Sequence, residues 1–267
     1  MIGLLLSDVD GTLVRKDKSL APSTVDAVHA LHDAGVHFAL TSGRPPRGME
    51  MLIEPLGMKA PLAGFNGGVV VEPNLNVLDE RLVEGRLVPR TVELLHSFGL
   101  SVWLYPGKAW LVLDPEGPHV ERESHTVQFE PTVVESFDGL ETDVAKIVGV
   151  SDDFDTVAAA EAAAHDELGT EVSASRSQPY YLDITHPQAN KGCVAQFLAR
   201  RYALASEQIA TIGDMPNDVL MFAHSGLSIG MGNAHREVQR AARRVTSSNE
   251  EDGFANAVEK FILNGRS

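Results

Sequence analysis

Residues 3–14 read GLLLSDVDGTLV, an apolar run that leads straight into two carboxylates, Asp8 and Asp10, and resumes after a glycine and a threonine. A short, unbroken apolar segment closed by a turn signal predicts a strand buried on both faces, here over residues 2–7. Side chains two apart on an extended chain point the same way, so Asp8 and Asp10 can face one ligand together. Gly11 lets the backbone turn and present its N–H groups to an anion. Two acids this close to apolar surroundings repel each other and resist desolvation. Compensation by a cation is therefore the first expectation for this chain.

Working outward, residues 23–34 have helical spacing, Gly35 punctuates, and 36–40 is again strand-like, which makes a βαβ beginning. The last third repeats the rhythm, with a helix at 191–202, strands at 209–212, 227–229 and near Val245, and a closing helix at 254–262. Both ends predict one α/β unit built on a parallel sheet with helices on both faces. Between about 82 and 187 the texture changes. Strands are expected at 102–105, 111–113, 145–150, 171–175 and 180–185. Helices are expected at 88–98, where Pro89 suits the first turn, and at the alanine-rich 154–168. The expected organisation is a core of residues 1–81 and 188–267, with an α+β cap of residues 82–187 inserted into it.

A chain of 267 residues can bury a substantial core and suits at most two domains. Its 43% hydrophobic and 22% charged residues describe an ordinary globular protein, without an apolar run of bilayer length. The formal charge of -15 repels phosphate backbones and anionic lipid, and the arginine pairs at 200–201 and 243–244 are too short to make a basic patch. Neither nucleic acid nor membrane is an expected partner. One cysteine, Cys193, excludes an internal disulfide and reads as a packed helix residue. The amino terminus lacks a basic segment ahead of a signal-length apolar core, so the chain reads as cytoplasmic.

In a parallel α/β sheet, ligands collect outside the carboxyl ends of the strands. The residues expected there are polar: Asp8, Asp10, Gly11 and Thr12 after the first strand, Ser42, Gly43 and Arg44 after the second, and Asp214, Asn217 and Asp218 after a late one. Gathered in one crevice, these acids would rise steeply in pKa unless a cation sat among them. Oxygen ligands with no histidine or cysteine nearby point to magnesium. His186, His224 and His235 are scattered without ligand spacing and read as structural. Asn190 suits a helix cap, and Lys191 beside that positive helix end suits a phosphoryl group.

Taken in order, DVDGTL at 8–13, TSGR at 41–44, NKG at 190–192 and GDMPND at 213–218 resemble the four motifs of the haloacid dehalogenase superfamily. The large insert between the second and third resembles the Cof-type branch of metal-dependent phosphatases. FNGG at 65–68, MGNA at 231–234 and SSNEEDGFANAV at 247–258 are similar to that branch, and the insert matches it by length and by its final segment, YYLDITHPQANKG. The resemblance implies a phosphomonoester hydrolase with a Rossmann-like core that works with magnesium through an aspartyl-phosphate. On its pattern Asp8 is nucleophile and metal ligand. Asp10 protonates the leaving oxygen, activates the hydrolytic water and meets the metal through its backbone carbonyl. Asp214 ligates the metal, and Asn217 and Asp218 are both eligible to complete that shell. Gly11, Thr12, Ser42, Gly43 and Lys191 hold the phosphoryl group, although many relatives carry threonine where Ser42 stands.

In the insert, Trp103, Tyr105, Tyr180, Tyr181 and Asp183 fall on expected strands, and packing accounts for most of them. Tyr181 and Asp183 are the insert's candidates for substrate contact, joined by Arg44, Asn66 and Asn217 from the core loops. The expected substrate is a small phosphorylated metabolite such as a sugar phosphate, and the expected assembly is a monomer or weak homodimer. A phosphomutase of the same superfamily is an alternative, as is a phosphometabolite sensor without turnover. Against the sensor stand Asp8 and Asp10, since binding alone needs no nucleophile paired with an acid.

Overall fold

The computed structural model describes residues 1–264. One sheet has eight strands, in the order Arg244–Val245, Leu227–Gly230, Ile209–Gly213, Leu4–Asp8, His37–Thr41, Leu62–Gly64, Val69–Val71 and Val77–Glu80. The first six run parallel, and the last two extend the sheet as an antiparallel meander. Leu4–Asp8 lies in the middle and is buried throughout. Its unbroken apolar run serves two layers. Leu5 packs with Val28 and Leu31 of the helix Pro22–Asp33, whereas Leu4 and Leu6 pack with Val194 and Leu198 of the helix Lys191–Arg201. A strand covered by helices on both faces has no polar face to alternate with.

Parallel pairing also gathers the strand ends. Ser7 is level with Leu40 and Ile212, and Asp8 with Thr41. The loops that begin at Asp8, Ser42 and Asp214 therefore leave the sheet at one edge, as the topology of such sheets requires.

A second sheet has six strands, in the order Ser173–Gln178, Tyr181–Thr185, Ile147–Val150, Ser101–Leu104, Leu111–Val112 and Thr132–Val133, antiparallel except for the last pair. Here the strands alternate. Val102, Leu104, Leu182 and Ile184 pack with the helices Val88–Ser97 and Phe154–Leu168. Trp103, Tyr105, Val148 and Tyr181 face the other way and join the hydrophobic cluster of the first sheet. Tyr105 meets Phe65 edge to face at 5.2 Å, so this face of the second sheet looks onto the core loops.

Several elements differ from the sequence reading. The strand expected at 171–175 begins later, at Ser173–Gln178, because a single 3-10 turn, Gly169–Glu171, follows the helix, with Gly169 at φ +55°. The helix Val120–Val127 was not legible, being eight residues long with only Val120, Ser124 and Val127 buried. The strands Val69–Val71 and Val77–Glu80 were also missed, since three or four residues are too few for periodicity to separate from a loop.

Candidate active site

Asp8, Asp214 and Asp218 are buried, and each offers a carboxylate oxygen within 4.8 Å of the others. Lys191 binds two of them, its Nζ donating to Asp8 Oδ1 at 2.5 Å and to Asp218 Oδ1 at 2.6 Å. The lysine is placed by its helix, whose cap Asn190 accepts from the N–H of Cys193 at 3.0 Å. Asp218 Oδ2 accepts from the N–H groups of Asp214 and Met215 at 2.9 and 2.8 Å, so both of its oxygens are engaged. Among the described residues, Asp8 Oδ2 is buried without a partner, and so is Asn217 Oδ1, while Asn217 Nδ2 donates to Asn66 Oδ1 at 3.0 Å.

Burial, reinforced by Asp218 and Asp214, pushes Asp8 well above the usual carboxylate range despite Lys191. Burial and then Asp218 push Asp214 up to about 6, against the hydrogen bond that Thr12 Oγ1 donates to it at 3.1 Å. Burial opposes the charge on Lys191, but Asp218 and Asp8 outweigh it and keep the ammonium protonated above its ordinary value. Three acids against one ammonium leave negative charge uncompensated. With only oxygen donors and one carboxylate oxygen unpartnered, the cluster fits a hard divalent cation.

Asp10 faces elsewhere. Its carboxylate receives Arg44 Nε and Nη2 at 2.7 Å each and Lys18 Nζ at 2.6 Å. Burial would raise its pKa, but these contacts, those of Arg44 foremost, lower it to about 2. The Asp10 side chain therefore lies outside the three-acid cluster. Arg44, expected to contact substrate, anchors Asp10 and uses Nη1 to reach the carbonyls of Gly48 and Thr126 at 3.2 and 3.0 Å. Thr126 belongs to the helix Val120–Val127, so one guanidinium ties Asp10 to the second sheet's segment.

The turns are built for close approach. Gly11 has φ +81°, and a Cβ there would stand 2.3 Å from Asp214 Oδ2. Ser42 Oγ accepts from the N–H of Arg44 at 3.2 Å, and the Ser42 carbonyl accepts from the N–H of Asn66 at 2.8 Å. Asn66, at φ +56°, holds its amide beside Gly43. Asn233, in MGNA, donates to the Gly11 carbonyl at 2.8 Å and accepts from the N–H of Asn249 at 3.1 Å, which steadies the Gly11 turn.

The second sheet adds polar groups facing these loops. Lys146 Nζ lies 3.4 Å from Asp183 Oδ2 and 3.5 Å from the Gly43 carbonyl. Asp183 Oδ1 and the Tyr181 hydroxyl are buried without partners among the described residues. Glu123 is half-buried, and burial raises its carboxyl pKa against the pull of Lys146. A carboxyl raised on folding favours the folded state below its unfolded pKa, and that contribution is lost as pH rises through the folded value. Glu123→Gln is therefore expected to raise the Tm near pH 8, with the gain shrinking towards about pH 4. Thermal unfolding across that range checks it. A broad surface concavity of about 1110 Å³ along residues 115–130 holds none of the clustered acids.

Residues 5–258 match the family of haloacid dehalogenase-like hydrolases. The chain belongs to that family. This hydrolase is 28% identical over 262 residues to a putative phosphatase of Haemophilus influenzae, covering 97% of this chain and 98% of the relative. It is 26% identical over 269 residues to a 5-amino-6-(5-phospho-D-ribitylamino)uracil phosphatase of Bacillus subtilis, covering 97% of each. A haloacid dehalogenase-like hydrolase from Bacteroides thetaiotaomicron has the same fold, with a TM-score of 0.91 and 26% identity over 98% of this chain and 100% of that one. The match supports the Cof-type assignment and a phosphatase as the class of enzyme. Among the described residues, no helix of this hydrolase is long and apolar enough to cross a membrane.

Proposed function

We propose that this hydrolase is a magnesium-dependent phosphatase of the cytoplasm, acting as a monomer or weak homodimer on small phosphorylated metabolites, sugar phosphates foremost, through an aspartyl-phosphate on Asp8. The observation that carries the reading is the state of Asp8: one oxygen is held by Lys191 and the other is buried, unpartnered and among further acids. In this reading an Asp8 oxygen attacks phosphorus, and the alcohol leaves with a proton from Asp10, a carboxylate here that must first part from Arg44 and Lys18 and take that proton from solvent. Water that has given a proton to Asp10 then attacks the same phosphorus and frees Asp8. Lys191, Ser42 and the turns at Gly11, Thr12 and Gly43 steady the phosphoryl oxygens. Asp8, Asp214 and the Asp10 carbonyl would hold magnesium. With both Asp218 oxygens engaged, Asn217 Oδ1 is the better further ligand and Asp218 the support. The cation would offset the repulsion between a carboxylate and a phosphate dianion. Residues 82–187 act as a cap that excludes water and contacts the leaving group.

A phosphate-release screen over sugar phosphates, nucleotides and cofactor phosphates tests the assignment. Activity is expected with magnesium and lost with EDTA, and full hydrolysis in metal-free buffer would contradict the proposal. Magnesium should also raise the Tm, by the equivalent of about 2.7 kcal/mol at one hundred times its Kd. Protons compete with the metal for Asp214, whose pKa is about 6. The magnesium-induced Tm shift is therefore expected to grow between about pH 5.5 and 7.5, and a shift that shrank over that range would contradict the ligand assignment.

A further inference from the structure

Resting on the phosphatase reading above, we propose that Glu123, Asp183 and Tyr181 form an acceptor-rich cradle that selects uncharged, polyhydroxylated leaving groups and rejects those carrying a second anionic group. The strand Tyr181–Thr185 turns Leu182 and Ile184 towards the cap helices, so Tyr181 and Asp183 share the opposite face, with Trp103 and Tyr105. Register fixes their neighbours: Asp183 pairs with Val148 and Tyr181 with Val150. Lys146, two residues before Val148, lies on that same face and meets Asp183 Oδ2. Glu123 approaches from the helix Val120–Val127, three residues before the carbonyl that Arg44 binds, and is close enough to feel the charges of Lys146, Asp183, Arg44 and Asp10.

Asp183 is 4% exposed, and its Oδ1 has no partner although the other oxygen is bound. The Tyr181 hydroxyl is also buried and unpartnered, on a ring fixed edge to face against Trp103 at 5.3 Å. A fold rarely leaves buried polar atoms unsatisfied unless something else pairs with them. Here the free positions are one carboxylate oxygen, Asp183 Oδ1, which only accepts, and a phenol, which can do either. The vicinal hydroxyls of a sugar or polyol supply one donor each and match them. A second phosphate or a carboxylate supplies no donor, and the nearby cations, Lys146 and Arg44, are already engaged by Asp183 and Asp10. An ammonium group would match the acids, but Lys146 and Arg44 already hold positive charge around Glu123.

The test is kcat/KM for ribitol 5-phosphate, phosphoglycolate, phosphoethanolamine and acetyl phosphate in the magnesium-loaded enzyme and in Glu123→Gln and Asp183→Asn. Wild type is expected to favour ribitol 5-phosphate over phosphoglycolate by about tenfold or more, and Glu123→Gln to narrow that ratio about fivefold or more. Should Asp183→Asn fail to fold because Lys146 loses its partner, Glu123→Gln carries the test, since among the described residues none hydrogen-bonds its carboxylate. An unchanged ratio in the folded variants, or a wild type that prefers phosphoglycolate or phosphoethanolamine, overturns the inference. Acetyl phosphate separates the two levels. Its turnover without turnover of the polyol phosphate sinks the cradle alone, whereas no release from any of the four sinks the phosphatase reading and the cradle with it.

Discussion

Asp8→Asn is expected to abolish turnover, lowering kcat by at least about 10⁴-fold, the scale on which loss of a covalent nucleophile acts. The fold should survive. Burial and the acids beside it already disfavour the ionised form of Asp8, so a neutral side chain of the same shape relieves repulsion in metal-free buffer. Sign matters here, because a raised carboxyl destabilises the folded state most at high pH. The variant in EDTA is expected to melt no lower than wild type near pH 8. A purely structural role for Asp8 predicts the opposite pairing, in which stability falls together with activity. Phosphate release and thermal unfolding on the same preparation separate the two.

Lys191→Met carries the largest expected loss of stability. The ammonium is 2% exposed and is the cation between Asp8 and Asp218, themselves 5% and 0% exposed. Removing one partner of a buried ion pair leaves charge without compensation and costs about 3–5 kcal/mol. The loss is expected to be greater near pH 8 than near pH 5, where protons can neutralise the stranded acids, and magnesium should recover part of it. Activity should fall as well, because the positive charge facing the phosphoryl oxygens is gone. Thermal and urea unfolding with and without magnesium measure the effect. A Tm within a degree or two of wild type at high pH would show that the lysine is not the counter-charge the geometry describes.

Much of the core was legible because a strand buried on both faces leaves an uninterrupted apolar run and its end is marked by a polar turn. Leu4–Asp8 fits that description best, His37–Thr41 and Ile209–Gly213 approach it apart from an exposed His37 and a buried Thr211, and their ends carry Asp8, Ser42 and Asp214. Lys191 was legible from its place at a capped helix start. What could not be read was how side chains pair across distant loops. Lys18 lies eight residues beyond Asp10 in a polar turn, and nothing local marks it as a partner at 2.6 Å. The contact of Arg44 with the Thr126 carbonyl spans 82 residues, and no local pattern announces it. Glu123 and Lys146 carried no signal, since one sits on a short polar helix and the other just before a short strand. Asp10 is likewise held as a carboxylate, the form that accepts a proton from water, a state set by Arg44 and Lys18 rather than by its motif.

The most direct measurement is acid-quenched mass spectrometry of the magnesium-loaded Asp10→Asn protein mixed with an activated phosphate ester. General acid–base catalysis contributes about 10²- to 10⁴-fold, so removing Asp10 should slow release of the intermediate, while a good leaving group lets the first step proceed. Phosphate is expected on the peptide containing Asp8 and absent when Asp8→Asn is combined with the same change. Phosphate on any other residue, or persisting in the double variant, would contradict the assignment of Asp8 as the nucleophile.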